Sequence, residues 1–302
     1  MTVKVACIPN DFYHGSRGFE QVLDEVCAPL GVKYIEIAYL WGKSILDLDE
    51  TEIAKLHESL DQRDIRIGSI QTQIMKVIPN GALLASPGSK NMARDQAFNT
   101  SRIDDAIRCA KEFGTKLIVT YSYFSSTMKK KQVEPFWDML FQDYNGLVEK
   151  CQAEDCTMVV ECEDDTLVHD TKTYLRLFDY FNSPHLAANL DLANFISYAN
   201  VFTEEDFTQL KDHVAYFHCK DRILSKGIMS KGILRRIFHG KGAVFCTGDV
   251  PWKQVLPWFV DAGFDGILSV EPHVHGANQF EDAKQCVAGL QKLLGELNIE
   301  YE

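Results

Sequence analysis

The sequence predicts a single α/β domain, a (β/α)8 or TIM barrel that takes up residues 1–302. Strand-like and helix-like patterns alternate along the chain, and this alternation is typical of parallel sheets whose strands are connected by helices. About eight such units are present, and 302 residues suffice for one large barrel. A doubly wound open sheet is the alternative, but no GxGxxG motif follows the first predicted strand.

Eight short runs of apolar, β-branched and aromatic residues are the predicted strands. They begin near Val3, Tyr34, Ile65, Lys116, Thr157, Leu186, Val214 and Gly266. Between most of them, apolar residues recur at helical spacing, which predicts helices packed on the outside of the sheet. The clearest of these helices cover residues 19–30, 51–60, 101–113, 252–262 and 280–294. Thr100 or Ser101 is the predicted N-cap of the third.

A glycine follows three of the predicted helices, a few residues before the next strand. These glycines are Gly31, Gly114 and Gly263. Glycine just past a helix adopts the left-handed cap conformation at little cost. Short loops are therefore predicted between these helices and the strands that follow them.

Two connections, near residues 75–99 and 222–250, are longer than a strand-to-helix loop requires. Both follow strands, so both are predicted to lie at the C-terminal face, where barrel enzymes have their active sites. The second connection is rich in Lys, Arg and Gly. It is interpreted as a lid or an oligomer contact, and a surface insertion without a role in chemistry is the alternative.

Composition and charge argue against several classes of protein. The formal net charge of −12 disfavours nucleic acid as a partner. No apolar run is long enough to span a membrane, and the N-terminus is typical of a first strand rather than a signal peptide, so a cytoplasmic protein is expected. The nine cysteines are scattered without a CxxC pair, which predicts neither a disulfide framework nor a zinc knuckle.

Four consecutive predicted strands end on residue types that bind metal ions. These residues are Glu161, Asp191, His218 and Glu271. Because the ends of neighbouring strands meet at one mouth of a barrel, we expect the four side chains to converge. Three carboxylates and one imidazole suit Mn²⁺, Mg²⁺, Co²⁺ or Zn²⁺. A lone glutamate at a strand end is more often an ion-pair partner, but clustered acids without a metal would repel one another.

Longer motifs surround these four residues. They are Gly31-Val-Lys-Tyr-Ile-Glu36, Asp191-x-x-Asn194, His218-x-Lys220-Asp221, Gly248-Asp-Val-Pro-Trp252 and Gly263-Phe-Asp-Gly-Ile-Leu-Ser-Val-Glu271. With them the chain resembles the xylose isomerase-like TIM barrel superfamily, in particular its sugar phosphate isomerase/epimerase branch, which includes keto-sugar 3-epimerases and inosose dehydratases. The resemblance extends over most of the chain and is most specific from Thr157 onward.

The resemblance implies a site and a reaction. Glu161, Asp191, His218 and Glu271 match the ligands of one divalent metal ion, Mn, Co, Mg or Zn. In such epimerases the residues that match Glu161 and Glu271 also act as acid and base on opposite faces of a keto sugar, through a metal-stabilised enediolate. The implied partner is a small sugar or keto-sugar substrate, and a homo-oligomer is expected.

The sequence departs from one branch of the superfamily. Its apurinic endonucleases bind three zinc ions through additional histidines at the ends of earlier strands. Here the third strand ends Ser69-Ile-Gln-Thr-Gln73 and the fourth ends Thr120-Tyr-Ser-Tyr123, and neither contains a histidine. A trinuclear site and a role in DNA repair are therefore disfavoured.

Glu163 stands two residues after Glu161, where relatives often have histidine. Alternate residues of a strand share a face, so Glu163 is expected to point into the same pocket. Three interpretations stay open, which are an additional acid or base, a hydrogen-bond partner for sugar hydroxyls, and an ion-pair partner of Lys220.

The predicted substrate-binding residues are Glu163, Asn194, Lys220, Arg222, Tyr121 and Trp41. Aromatic faces at a barrel mouth often stack on sugar rings, but Tyr121 and Trp41 are also compatible with core packing. Arg222 is a candidate for contact with a substrate oxygen or for an ion pair with Asp221. The weaker site candidates are Asn10, Asp11, His14 and His273.

Three classes of function fit these residues. The leading hypothesis is a metal-dependent epimerase or isomerase that abstracts a proton next to a carbonyl. A dehydratase or lyase is the second, because the same intermediate expels a leaving group in the β position when the substrate, an inosose or 3-keto glycoside, carries one. A non-enzymatic barrel subunit is the third and is disfavoured, since binding alone needs no paired carboxylates at Glu161 and Glu271.

Overall fold

In the computed structural model, eight parallel strands close into a barrel. Residues 2–12, 18–82, 96–125, 133–199, 201–224, 241–276 and 278–302 are described. The strands are β1 (Lys4–Cys7), β2 (Tyr34–Ile37), β3 (Arg66–Gln71), β4 (Leu117–Thr120), β5 (Thr157–Glu161), β6 (Leu186–Asp191), β7 (Val214–Cys219) and β8 (Ile267–Val270). Each strand pairs with its neighbours in chain order, and β1 closes the barrel against β8. Every strand begins within one residue of its predicted start, and the closed topology rules out the open sheet.

Helices surround the barrel, as predicted. Their bounds are Glu50–Asp61, Gln96–Ser101, Ile103–Glu112, Glu134–Ala153, Thr171–Phe181, Leu192–Ala199, Glu204–Leu210, Trp252–Asp261 and Gln279–Glu296. The first helical stretch has three consecutive segments, Phe19–Val22, a π-helical Leu23–Cys27, and Ala28–Leu30. Two short antiparallel ladders pair Tyr39–Leu40 with Lys43–Ser44 and Asp221–Ile223 with Lys241–Ala243. Among the described helices, none has the length and apolarity that crossing a bilayer requires.

The predicted glycine caps are confirmed, and one predicted helix start is wrong. Gly31, Gly114 and Gly263 have φ values of 66°, 68° and 105°, the left-handed region that glycine adopts without strain. Thr100 and Ser101 do not cap the third predicted helix, because both belong to the preceding helix Gln96–Ser101. The next helix begins after Arg102, which makes no side-chain capping bond.

The alternation of residues along the strands separates two cores. Outward residues pack against the helices, whereas one inward residue from most strands forms a layer inside the barrel. This layer consists of Ala6, Tyr34, Val119, Val159, Ala187, Tyr216 and Ile267. Two residues further along, the same inward face carries Glu36, Tyr121, Glu161 and His218, all fully or nearly fully buried. The period of two therefore brings polar side chains to the C-terminal mouth, directly above an apolar layer.

The connection after β7 is fixed at its two described ends. Asp221 accepts hydrogen bonds from the backbone N–H groups of Arg222 (2.7 Å), Gly248 (2.8 Å) and Val250 (3.2 Å). We call Asp221 and these three N–H groups the Asp221 anchor. Trp252 adds a hydrogen bond from its indole Nε1 to the Lys220 carbonyl, 3.0 Å long. The anchor explains why an aspartate and a Gly-Asp-Val-Pro-Trp run occur together in the sequence.

The two long connections are described only in part. Residues 83–95 and 225–240 lie outside the described residues, and with the second range so does the middle of the predicted lid or oligomer contact between 222 and 250. The described part of the first connection contains Lys76, which reaches the barrel mouth. Asn99 holds this segment, because its side chain accepts from Met75 N and donates to the Gln73 carbonyl.

Candidate active site

The four predicted metal ligands converge, as the barrel topology requires. Glu161 and Asp191 end β5 and β6, His218 lies near the end of β7, and Glu271 follows β8. One potential ligand atom from each residue lies within 4.8 Å of those of the others. All four side chains are buried, with relative exposures between 0% and 7%. We call these residues the carboxylate–histidine cluster.

Two buried cations hold the three carboxylates together. His218 Nδ1 lies 3.2 Å from Glu161 Oε1 and 3.4 Å from Glu271 Oε2. Lys220 Nζ lies 2.6 Å from Asp191 Oδ2 and 2.8 Å from Glu271 Oε2. Burying three negative charges is costly without such partners, so the cluster depends on its own imidazole and ammonium groups.

The charges shift the pKa values of the cluster in opposite directions. Burial acts to raise the pKa of Glu271, but Lys220, His273 and His218 outweigh it and hold that pKa well below its usual range. Burial also opposes ionisation of Lys220, yet Asp191 and Glu271 raise its pKa well above the ordinary value. Lys220 therefore carries a positive charge, which the carboxylates of Asp191 and Glu271 stabilise.

The donor set fits a divalent metal ion. Glu161 Oε2 and His218 Nδ1 are buried and make no hydrogen bond. Buried polar atoms are rarely left without a partner, so these atoms indicate a group that binds between them. Three carboxylates and one imidazole are the oxygen and nitrogen donors that Mg²⁺, Mn²⁺, Co²⁺ and Zn²⁺ accept.

Glu36 is a site residue to which the sequence analysis gave no role. Its carboxylate lies 3.0 Å from His218 Nε2, on the side of the imidazole that faces away from the cluster. The sequence contained a signal, because Glu36 is an acid within the otherwise apolar strand β2, one residue before its end, whereas Glu161 is the last residue of β5. An acid in a fully buried strand is costly without a partner.

A second small group adjoins the cluster on the side of β1. His273 Nε2 lies 2.9 Å from Glu271 Oε1, and Glu271 raises the pKa of this histidine. Asp11 faces the same carboxylate, and burial together with Glu271 raises the pKa of Asp11 to about 7. Asp11 and His273 thus lie beside the cluster, and the side-chain amide of Asn10 donates to Asp11 Oδ1 at 3.0 Å. His14 falls outside the described residues.

Glu163 pairs with a different lysine from the one considered in the sequence analysis. Lys76 Nζ lies 2.5 Å from Glu163 Oε1, while Lys220 is engaged by Asp191 and Glu271. The interpretation of Glu163 as a partner of Lys220 is therefore wrong. Lys76 lies over the ring of Tyr121, 4.2 Å from its centroid. The second oxygen of Glu163 is buried without a hydrogen bond, so an acceptor is available beside Glu161.

Asn194 and Arg222 make structural contacts around the cluster. The Asn194 backbone N–H donates to Asp191 Oδ1 (2.8 Å), and its side-chain amide donates to the Cys162 carbonyl (3.1 Å). Arg222 NH1 donates to Ser197 Oγ at 2.5 Å and lies 3.8 Å from Asp164 Oδ2, so the guanidinium pairs with Asp164 rather than with Asp221. These contacts hold one cluster oxygen and the start of the connection after β7.

Trp41 lies away from the cluster in its described contacts. Its indole Nε1 donates to Glu20 Oε1 at 3.0 Å, and Lys55 Nζ lies 3.9 Å from its ring centroid. Phe19 packs edge-on against the same ring. Trp41 thus contacts the outer helices, whereas Tyr121 is buried at the barrel mouth under Lys76.

Comparison with known proteins agrees with this architecture. A family model described as xylose isomerase-like TIM barrel matches residues 25–293. A D-tagatose 3-epimerase-like protein is similar in structure, with a TM-score of 0.70, 16% identity, and coverage of 98% of this chain and 98% of that one. The probable 3-DHS dehydratase AsbF from Bacillus anthracis has a TM-score of 0.68 and 16% identity, with coverage of 96% of this chain and 99% of that one.

A third solved structure was determined with a metal ion. It is a xylose isomerase-like TIM barrel protein from Mycobacterium smegmatis in complex with magnesium, with a TM-score of 0.70 and 13% identity, covering 98% of this chain and 96% of that one. At such identities the three structures show a shared fold. Among curated proteins, no sequence matches the chain significantly.

Proposed function

Because the chain belongs to the xylose isomerase-like TIM barrel family, we propose that it is a divalent-metal-dependent enzyme that epimerises or isomerises a sugar or keto sugar. The carboxylate–histidine cluster is the observation that carries this proposal. Its four residues come from successive strands, are buried, and offer ligand atoms within 4.8 Å of one another. The D-tagatose 3-epimerase-like structure supports the choice of reaction class.

The proposed chemistry assigns a role to each residue of the cluster. A divalent ion held by Glu161, Asp191, His218 and Glu271 would polarise a carbonyl group of the substrate. Glu161 and Glu271 both lie close to His218 Nδ1, at 3.2 and 3.4 Å. One of these glutamates removes the proton next to the carbonyl, and the other returns a proton to the resulting enediolate. Lys220, beside Glu271, helps to keep that carboxylate ionised and ready to accept a proton.

A dehydratase or lyase is the second candidate, and Lys220 is the observation that favours it. β-Elimination needs a base for the proton next to the carbonyl and an acid for the departing hydroxyl or alkoxide. Lys220 Nζ lies 2.8 Å from Glu271 Oε2, so a base and an ammonium donor are adjacent. The similarity to a probable 3-DHS dehydratase agrees with this alternative.

The test begins with metal content and proton exchange. We expect about one divalent ion per chain by elemental mass spectrometry, and incorporation of deuterium next to the carbonyl when a panel of ketoses and keto glycosides is incubated in D₂O. Replacement of one catalytic carboxylate in Glu271→Gln should reduce exchange by about 10²–10⁴-fold. Glu112→Gln, which removes an exposed carboxylate paired with His57, is the matched control and should retain the wild-type rate.

Product analysis separates the two candidates. An epimerase or isomerase returns a sugar of unchanged mass, whereas elimination gives an α,β-unsaturated carbonyl compound with new ultraviolet absorbance and loss of water or of an alcohol. A wild-type protein that binds no metal even after addition of Mn²⁺, and exchanges no proton with any member of the panel, would contradict both.

A further inference from the structure

We propose that Glu36 is a positioning residue, which holds His218 with Nδ1 directed into the carboxylate–histidine cluster and thereby sets the affinity of the cluster for its metal ion. The inference rests on the proposed function, since it concerns the same metal. It goes beyond that function because it assigns a role to a residue on the opposite side of the barrel, 182 positions earlier in the chain than His218.

The two nitrogens of His218 face different partners. Nε2 lies 3.0 Å and 3.1 Å from the two carboxylate oxygens of Glu36. Nδ1 faces Glu161 and Glu271 and makes no hydrogen bond. A carboxylate accepts hydrogen bonds only, so Nε2 must carry a hydrogen atom to bond to Glu36. In the metal-free protein both nitrogens of the cationic ring carry hydrogen, and a metal ion that displaces the Nδ1 hydrogen would bind at the nitrogen directed toward the cluster while Nε2 keeps its own.

The opposite orientation of the ring would lose both interactions. Rotation of the imidazole by 180° about its Cβ–Cγ bond exchanges each nitrogen with a carbon. The cluster would then face a C–H group, and Glu36 would face a second C–H group instead of a donor. The carboxylate of Glu36 therefore selects the one ring orientation in which a nitrogen is available to a metal.

Tyr216 and Ser69 hold Glu36 in place from the N-terminal side of the barrel interior. Tyr216 OH donates to Glu36 Oε2 over 2.6 Å, and Ser69 Oγ lies 2.9 Å from the same hydroxyl. Tyr216 is two residues before His218 on β7, so both side chains point into the barrel. Glu36 and His218 are both fully buried, so bulk water does not reach this pair. A chain of hydrogen bonds thus connects Ser69, Tyr216, Glu36 and His218, and it holds the imidazole of His218 in place.

The experiment measures Co²⁺ binding by titration calorimetry and by the visible spectrum of the bound ion. Loss of the carboxylate in Glu36→Gln should weaken Co²⁺ binding by about 10–100-fold, as is typical when the group behind a histidine ligand is changed. The ligand field of the bound ion should change as well. Glu112→Gln is the control with the same chemical change at an exposed position, and it should bind Co²⁺ like the wild type.

A purely structural role predicts a different result. Glu36→Gln would then lower the melting temperature but bind Co²⁺ with wild-type affinity and spectrum, and this outcome would overturn the inference. If the variant does not fold, ¹⁵N-histidine NMR of the Zn²⁺-loaded wild type decides. We expect His218 with its hydrogen on Nε2 and the metal on Nδ1, and metal on Nε2 would overturn the inference.

Failure of the proposed function gives a separate pattern. A wild-type protein that binds neither Co²⁺ nor Zn²⁺ would overturn the metal-dependent function and the role of Glu36 together. A wild type that binds Co²⁺ tightly, with Glu36→Gln equally tight, would leave the proposed function intact and overturn only the positioning role.

Discussion

The carboxylate–histidine cluster and the Asp221 anchor both contain buried carboxylates near the C-terminal end of β7, and these carboxylates are neutralised in different ways. In the carboxylate–histidine cluster, the acids face side-chain cations, chiefly Lys220 and His218. In the Asp221 anchor, a single acid accepts hydrogen bonds from three backbone N–H groups. Lys220 and Asp221 are adjacent in the sequence, yet one belongs to each group.

The difference separates residues that can exchange partners from residues that cannot. A side-chain cation can rotate away from a carboxylate when a metal ion binds there. A backbone N–H group in a folded loop cannot, because it moves only if the loop itself changes conformation. Atoms without a hydrogen bond occur in the cluster, at Glu161 and His218, while each oxygen of Asp221 has a backbone donor. We therefore interpret the cluster as the site of binding and chemistry, and the anchor as support for the connection that follows β7.

The largest expected effect concerns Lys220. In the metal-free protein, Lys220→Met should lower the free energy of unfolding by about 3–5 kcal/mol, because it leaves two buried carboxylates without their cation. Mn²⁺ at about 100-fold excess over its Kd should return about 2.7 kcal/mol to a protein that binds it. Chemical denaturation with and without Mn²⁺ measures both quantities.

An exposed ion pair provides the control for this substitution. Lys253 pairs with Glu296 at 3.1 Å on the surface, and Lys253→Met should change stability by about 0–1 kcal/mol, with no dependence on Mn²⁺ beyond that of the wild type. Equal effects of the two substitutions would mean that Lys220 is not the cation on which the cluster depends.

Substitution in the Asp221 anchor should destabilise the protein without changing its affinity for metal. Asp221→Ala leaves three backbone donors without their acceptor and should lower the free energy of unfolding by about 3 kcal/mol. Mn²⁺ affinity should stay at the wild-type value, because Asp221 contacts no member of the cluster in the described structure. Asp249→Ala is a graded control, since Asp249 accepts from a single backbone donor, Leu224 N, and should cost about 1 kcal/mol. A large loss of Mn²⁺ affinity in Asp221→Ala would break the distinction between the two groups.

A smaller effect tests how tightly the anchor is packed. A Cβ atom at Gly248 would lie 2.3 Å from Asp221 Oδ1 and 2.6 Å from the Arg222 carbonyl oxygen. Gly248→Ala should therefore destabilise the protein by about 1–3 kcal/mol. Gly146→Ala is the matched control. Gly146 lies within the helix Glu134–Ala153, and beyond the neighbouring backbone of that helix no atom lies within 4 Å of the added Cβ, so the substitution should stabilise the protein by about 0.5–1 kcal/mol. Thermal unfolding of the two variants gives the comparison directly.

The fold and the cluster were predictable because both depend on local patterns. Apolar runs placed every strand within one residue, and the topology of a barrel then brings the ends of β5 to β8 together, whatever the loops do. Glu161, Asp191, His218 and Glu271 each end such a run, so their convergence required no knowledge of side-chain conformation. The wrong N-cap at Thr100 or Ser101 shows the limit, because a helix of six residues preceded the predicted one.

The partners of these residues were not predictable, because they depend on contacts between distant segments. Glu36 contacts His218 across the barrel, and the sequence has no local feature that links them. Lys76 meets Glu163 through a connection whose path follows from the Asn99 hydrogen bonds rather than from a periodic pattern. The sequence therefore predicted the acids of the cluster, but neither the acid behind His218 nor the cation that neutralises each carboxylate.

The smallest expected effect is a coupling near zero between the two groups. Asp221→Ala and Glu271→Gln should be additive within about 0.5 kcal/mol in a double-mutant cycle, because the two carboxylates share no side-chain partner in the described structure. The unfolding free energies of the wild type, both single variants and the double variant, all metal-free, give the coupling energy. Lys220 links the cluster to the anchor. Its ammonium contacts Glu271, its carbonyl accepts a hydrogen bond from Trp252, and its backbone continues into Asp221. A coupling above about 1 kcal/mol would mean that movement of this backbone transmits strain from the anchor to the cluster, and the connection after β7 would then belong to the active site rather than support it.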